Sequence, residues 1–350
     1  MTTTSAGPVF SNAAGLSPTG SFNLAALASG RRFDAAELLS DEPVLGLQRE
    51  AGYIWGTLRD EDGELYSVMR RIAPPVALQG TGALSLPPKL IIVGTGTPEG
   101  QLQLRREPKG AVLSTDIVRK PLGDSGVRYE SADGADGRHM RLDMSDPDFS
   151  YVEEDVIEME GRMVVPPLQW YLPGPESSLL YISHTWQVDG MLFGKPARGF
   201  LFWEEAWMPP GGQLYVHKDP LHDAEYLTWY SWANLYGDGE CEVGHFLFGQ
   251  RDFHVAVTAK SNGEVTSART MDIEITRAED NYWHDGIRYT IDGVEWVCEP
   301  DPQGRMQGLG KMPNPQQEGY MHRVDDTRIP TLHMAWGETV PANGDRRRPQ

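Results

Sequence analysis

From Pro43 onward the chain alternates short apolar runs with turn signals. Runs at 53–58 and 64–71 flank Asp60-Glu61-Asp62-Gly63 and predict a hairpin. Further strand-like runs fall at 89–93, 101–106, 111–119, 127–130, 139–144 and 151–159. The second half continues with 178–188, 199–207, 226–236, 240–248, 253–259, 266–276 and 287–298. Asp238-Gly239 and Asn262-Gly263 are turn signals between them. A strand roughly every ten residues predicts an antiparallel barrel or sandwich. Residues 33–39 read as one short helix in an N-terminal arm, and 301–318 reads as a long Pro/Gln/Gly-rich loop.

Prolines 166, 167, 173 and 175 cluster around 163–174 and suggest a boundary there. The expected organisation is an arm over 1–40, a first β-barrel over 41–165, a second over 166–336 and a disordered tail over 337–350. One echo supports two related barrels. Trp55-x-x-Leu58 before Asp62-Gly63-Glu64 resembles Trp232-x-x-Leu235 before Asp238-Gly239-Glu240, with a spacing that differs by one residue.

Composition agrees with an all-β chain: 38 Gly and 26 Pro supply turns, while 10 Trp and 13 Tyr favour strands. The net charge of -19 argues against nucleic acid or an anionic membrane as partner. Two cysteines, Cys241 and Cys298, are too few for a disulfide framework. With no apolar span and no secretory pattern, the expected location is cytoplasmic.

Candidate chemistry concentrates at 199–248. Glu204 and Glu205 are adjacent carboxylates between Trp203 and Trp207, in an apolar run where ionised groups are costly to bury. On a strand the two point to opposite faces, so only one can enter a given interior. A carboxyl desolvated beside indole rings can hold a proton near neutrality and act as an acid. The plainer alternative is a Glu paired with Arg198 or Arg251. His184, His222 and Tyr230 are candidates for the second acid–base group. Trp186, Trp203, Trp207, Trp229, Trp232 and Tyr236, with Asp189 and His217, are candidate substrate-binding residues. His217 and His222 are five apart with Pro220 between, which does not suit a metal, and neither metal nor cofactor is expected.

The segment Gly199-Phe200-x-x-x-Glu204-x-x-Trp207 resembles the two-domain lipocalin-like family of hydroxyneurosporene synthase (carotenoid 1,2-hydratase) and AttH-like proteins. Glu204-Glu205-Ala206-Trp207 falls where that family places Asp-His-x-Trp. Trp229-x-x-Trp232 and Asp238-Gly239 fall where its later elements stand. The chain departs by Glu for Asp, Glu205 for His and Met208 for Gly. The resemblance implies two calycin-type barrels with an apolar cavity for an isoprenoid, polyketide or aromatic ligand. The expected function is a cofactor-independent lyase (hydratase/dehydratase or carbon–carbon lyase) on a bulky apolar or aromatic small molecule. A non-catalytic carrier of apolar ligands, or a terpenoid or polyketide isomerase or cyclase, is the alternative; homodimer formation is left open.

Overall fold

The computed structural model describes residues 26–72, 90–97, 100–104, 116–174, 176–223, 225–250, 253–307 and 314–349. The parts of the arm, of the 101–106 and 111–119 runs, and Pro175 and Arg251 that were singled out from sequence but are not in these ranges lie outside the described residues. Among the described residues the chain forms two sheets with antiparallel strand pairing, one of thirteen strands and one of nine. This is the expected all-β architecture of two tandem lipocalin-like barrels. In the first sheet Gln48–Asp60 pairs with Lys195–Met208; in the second Tyr226–Leu235 pairs with Leu332–Thr339. An early strand therefore lies beside the last one in each sheet.

The break between the sheets falls between Met208 and Tyr226, and not at 163–174. Strands Leu179–Leu192 and Lys195–Met208, expected in the second barrel, complete the first sheet. The proline cluster only separates Ile157–Met163 from Leu168–Leu172, which both pair with Leu179–Leu192. The expected 301–318 loop is also shorter: Val294–Arg305 and Gln316–Arg323 are paired strands. The tail is not free either. Gln250 Nε2 donates to the carbonyls of Asn343 and Arg346, and the Arg347 guanidinium lies 4.4 Å from the centre of the Phe248 ring.

The described part of the arm is structured. Leu27–Gly30 pairs with Leu168–Leu172. The helix Ala35–Leu39 is capped by Asp34, whose Oδ1 accepts from the amides of Ala36 and Glu37 at 2.9 and 3.1 Å. Leu38 is buried in the first core.

Lys195–Met208 positions the site. Its side chains alternate between two apolar compartments. Leu201 and Trp203 enter the first barrel's core with Tyr129, Phe149, Tyr151 and Trp186. Phe200, Phe202, Ala206 and Met208 face the other way, into a core shared with Trp229, Val243, Leu247 and Trp336 of the second sheet. The second barrel has its own core around Tyr230, Trp232, Phe246, Tyr289 and Trp296. The molecule therefore has two barrel interiors and a junction between them. No helix among the described residues is long and apolar enough to cross a membrane.

The close approach of Lys195–Met208 to Gln48–Asp60 requires Gly199, because a Cβ there would lie 1.9 Å from the Thr57 carbonyl oxygen. Gly199→Ala is expected to destabilise the fold by about 1–3 kcal/mol, read from denaturant unfolding. Unchanged stability would contradict this ladder geometry.

Candidate active site

Glu204 and Glu205 separate as strand alternation requires. Glu205 turns into the first barrel, fully buried, with Arg49 Nε 2.9 Å from Oε1. The approach is off the N–H direction, so the contact is an ion pair without a hydrogen bond. Burial pushes the Glu205 carboxyl up to about 7, with Arg49 opposing. The Arg49 guanidinium lies 4.6 Å from the centre of the Trp207 ring. The partner is thus Arg49 and not Arg198, which is exposed; Arg251 lies outside the described residues.

Glu204 faces the junction. Its Oε2 accepts from Trp55 Nε1 and the Tyr181 hydroxyl, both at 2.6 Å; Oε1 accepts from Ser183 Oγ at 3.1 Å. Desolvation raises its carboxyl to about 7, against the lowering effect of these three donors. Among the described residues it forms no ion pair with Arg or Lys. Its nearest basic group is His245 of the second sheet, with Nδ1 3.9 Å from Oε1.

His245 sits on the strand Cys241–Gly249 and is fully buried. Desolvation lowers it to about 3, so the imidazole is neutral and the 3.9 Å contact is not a salt bridge at neutral pH. Nδ1 is 2.7 Å from Ser231 Oγ, and Nε2 has no hydrogen-bond partner among the described residues. The Trp170 ring lies 4.6 Å from the imidazole and stacks on Tyr181 at 4.6 Å. Trp229 meets Tyr181 edge-on at 4.9 Å, and Trp55 stacks on Phe202 at 4.7 Å. The result is a protonatable carboxyl and a neutral imidazole, from different barrels, within an aromatic wall.

Of the residues expected from sequence, the junction gathers Glu204 and Trp229. His184 is buried in the first barrel, stacked on Trp186 at 5.8 Å, on the face that also carries Trp203 and Glu205. Tyr230 and Trp232 enter the second barrel, where the Tyr230 hydroxyl meets His284 Nε2 at 2.6 Å. Neither His184 nor Tyr230 can therefore serve Glu204 directly. His217, His222 and Asp189 are exposed. Tyr236 is packed under Arg328, 3.8 Å from its ring centre. An open cavity of about 390 Å³ lies elsewhere, with Gln101, Asp285, Asp301 and Arg305 in its lining and no aromatic wall. Its charges are engaged in ion pairs, Arg59 with Asp301 and Arg305 with Asp285, so the chemistry is better placed at the junction.

Sequence reasoning missed His245, Tyr181, Ser183 and Trp170. Trp55 stood in the hairpin echo but without a role. The echo itself is structural: Asp60 N donates to Glu64 O and Tyr236 N to Glu240 O, and Gly63 and Gly239 both have φ +86°. Aligning the two turns puts Ser231, not Trp232, in the place of Trp55. The one-residue offset turns Trp55 to the junction and Trp232 to the barrel interior.

The fold and this arrangement define a two-barrel, lipocalin-like protein with its candidate site between the barrels. No family model matches the chain, and no curated protein matches it in sequence. Solved structures share the architecture. CghA in complex with Sch210972 aligns with a TM-score of 0.51 at 10% identity, covering 90% of this chain and 98% of that one. A protein assigned as AttH from Nitrosomonas europaea aligns at 0.44 and 14% identity, covering 83% and 92%. Kievitone hydratase from Nectria haematococca aligns at 0.43 and 9%, covering 89% and 96%. At these identities the likeness is one of fold.

The buried acid has a pH signature. Glu204 is raised from 4.5 to about 7 in the folded state, so its contribution to stability is full below about 4.5 and is lost as pH rises through about 7. His245, lowered from 6.5 to about 3, acts oppositely, its contribution disappearing as pH falls toward 3. Glu204→Gln should therefore gain stability relative to the parent between pH 5 and 8, on the order of 3 kcal/mol. Parallel stability–pH curves for the two proteins would contradict the assignment.

Proposed function

We propose that this chain is a cofactor-independent lyase that removes water from, or adds it to, a bulky apolar or aromatic small molecule. The observation that carries this reading is the pairing of Glu204 with His245 across the junction, 3.9 Å apart and walled by Trp170, Trp229 and Tyr181. The match to CghA, solved with Sch210972, supports a ligand site on this architecture.

The chemistry follows from the hydrogen bonds. Indole N–H can only donate, and Oε2 already takes Trp55 and Tyr181. The acidic proton therefore belongs on Oε1, which faces His245. With Nδ1–H donating to Ser231, the imidazole presents the Nε2 lone pair. In dehydration, Oε1–H protonates the departing hydroxyl and the C–O bond breaks to release water. Nε2 then takes a proton from the adjacent carbon, whose C–H pair becomes the new π bond. Release of the Nε2 proton and reprotonation of Glu204 Oε1 reset the site. The indole faces stabilise positive charge developing on carbon. Hydration is the same path reversed. Loss of formaldehyde from an aromatic hydroxymethyl compound would draw on the same two groups.

Aromatic and terpenoid alcohols, assayed for loss of water or formaldehyde, test this reading. Glu204→Gln keeps an oxygen acceptor for Trp55 and Tyr181 but cannot donate a carboxyl proton. It should lower kcat by about 10²–10⁴-fold, with KM little changed. The parent kcat should fall as pH rises through about 7, because the acid must carry its proton. Full turnover in Glu204→Gln would overturn the acid assignment. Tight binding of an alcohol without conversion would favour the carrier reading.

A further inference from the structure

The two barrels present matching strands to the junction. With the two hairpin turns aligned, Trp55 corresponds to Ser231. Phe202 stands opposite Trp55 in the first sheet and Trp336 opposite Ser231 in the second. Two residues further along those strands lie Glu204 and Glu338, opposite Tyr53 and Trp229. Glu338 is therefore the second barrel's counterpart of Glu204, a correspondence fixed by ladder register alone.

The surroundings also correspond. Glu338 is 5% exposed and accepts from the Tyr226 hydroxyl at 2.8 Å and from Gln316 Nε2. Burial raises its carboxyl. Neither carboxyl pairs with an Arg or Lys among the described residues.

Two aromatic routes join them. Glu204 accepts from Trp55, whose ring meets Trp336 edge-on at 5.1 Å; Trp336 Nε1 donates to Gln316 Oε1 at 3.0 Å, and Gln316 donates to Glu338. On the other side Tyr181, bonded to Glu204, packs against Trp229, which lies 6.4 Å from Tyr215. The two carboxyls thus bracket one aromatic seam.

Resting on the junction reading above, we infer that Glu338 is the second polar anchor of the same site. The ligand would be a flat apolar skeleton bearing hydroxyl groups toward both ends, one for Glu204 and one for Glu338. Neutral donors fit two buried carboxyls with no cationic partner, whereas anions would be repelled. Tyr215 stands at the outer end of this seam. It is 48% exposed, on the turn closed by Gln213 and His217, with its ring 6.4 Å from those of Tyr226 and Trp229. A ligand hydroxyl would join Tyr226, braced by Asn314 Nδ2 at 2.6 Å, as a donor to Glu338.

The test uses two flat probes, 2-naphthol and 2,6-dihydroxynaphthalene, titrated calorimetrically into the full chain. The diol should bind at least about tenfold tighter, as expected for one added hydrogen bond to a charged or strongly polar group. Glu338→Leu should abolish that preference while 2-naphthol still binds, and Glu338→Gln should weaken it. Equal affinities for the two probes, or a preference that survives the Glu338 substitutions, would overturn the second anchor alone. Failure of both probes to bind the parent would overturn it together with the junction site. A diol preference alongside full turnover in Glu204→Gln would remove only the lyase chemistry.

Discussion

The strand Lys195–Met208 is apolar on both faces, and the organisation of the molecule depends on that constraint. A strand with one wet face alternates apolar and polar residues; this one is buried nearly throughout because it walls off the first barrel on one side and the junction on the other. Two adjacent glutamates on it must enter two different compartments. Glu205 meets an arginine inside the first barrel, which offsets part of its desolvation. Glu204 meets hydroxyl and indole donors and a neutral histidine, and no cation among the described residues. The least costly state for such a group near neutrality is the protonated acid. The same physical expense that makes Glu204 unusual makes it the candidate proton donor of the proposed reaction.

The junction depends equally on both barrels. The first supplies the carboxyl with its donors Trp55, Tyr181 and Ser183, and the second supplies His245, Ser231 and Trp229. Elsewhere the sheets are tied by Glu318, which accepts from Ser67 Oγ at 2.6 Å and from Thr57 Oγ1 and is raised to about 7 by burial. There a buried carboxyl of the second barrel holds hydroxyl donors from the first. Such contacts fix orientation more than they add stability, since each must offset its own desolvation.

Much of this was legible in the residues. Strand spacing and the two Asp-Gly turns read out an all-β chain of two related barrels, and period-two alternation read out the separation of Glu204 from Glu205. Three things were not legible, each for a physical reason. Prolines at 166, 167 and 173 mark where strands end, but not which sheet the next strand joins, so the sheet break was placed too early. The compartment each glutamate enters depends on long-range pairing, because the flanking residues are apolar on both faces. His245 lies in an almost unbroken apolar strand and acquires its role only through Ser231 on the paired strand and Glu204 on the other barrel. The available cue was a lone histidine in a run otherwise suited to core. His184 and Tyr230 drew attention by proximity in sequence to the tryptophans, but alternation sends them into separate interiors.

The central claim is that Glu204 holds its proton near neutral pH while buried between the barrels. Infrared difference spectra of the carboxyl C=O band, recorded across a pH titration for the parent and for Glu204→Gln, test it most directly. Glu205 and Glu318 also titrate near 7, so the difference between the two proteins isolates the one group. The account predicts that the parent loses one more protonated-carboxyl band than the variant around pH 7. A difference confined to the ordinary carboxylate range near pH 4–5 would show Glu204 ionised at neutrality and would contradict the acid role.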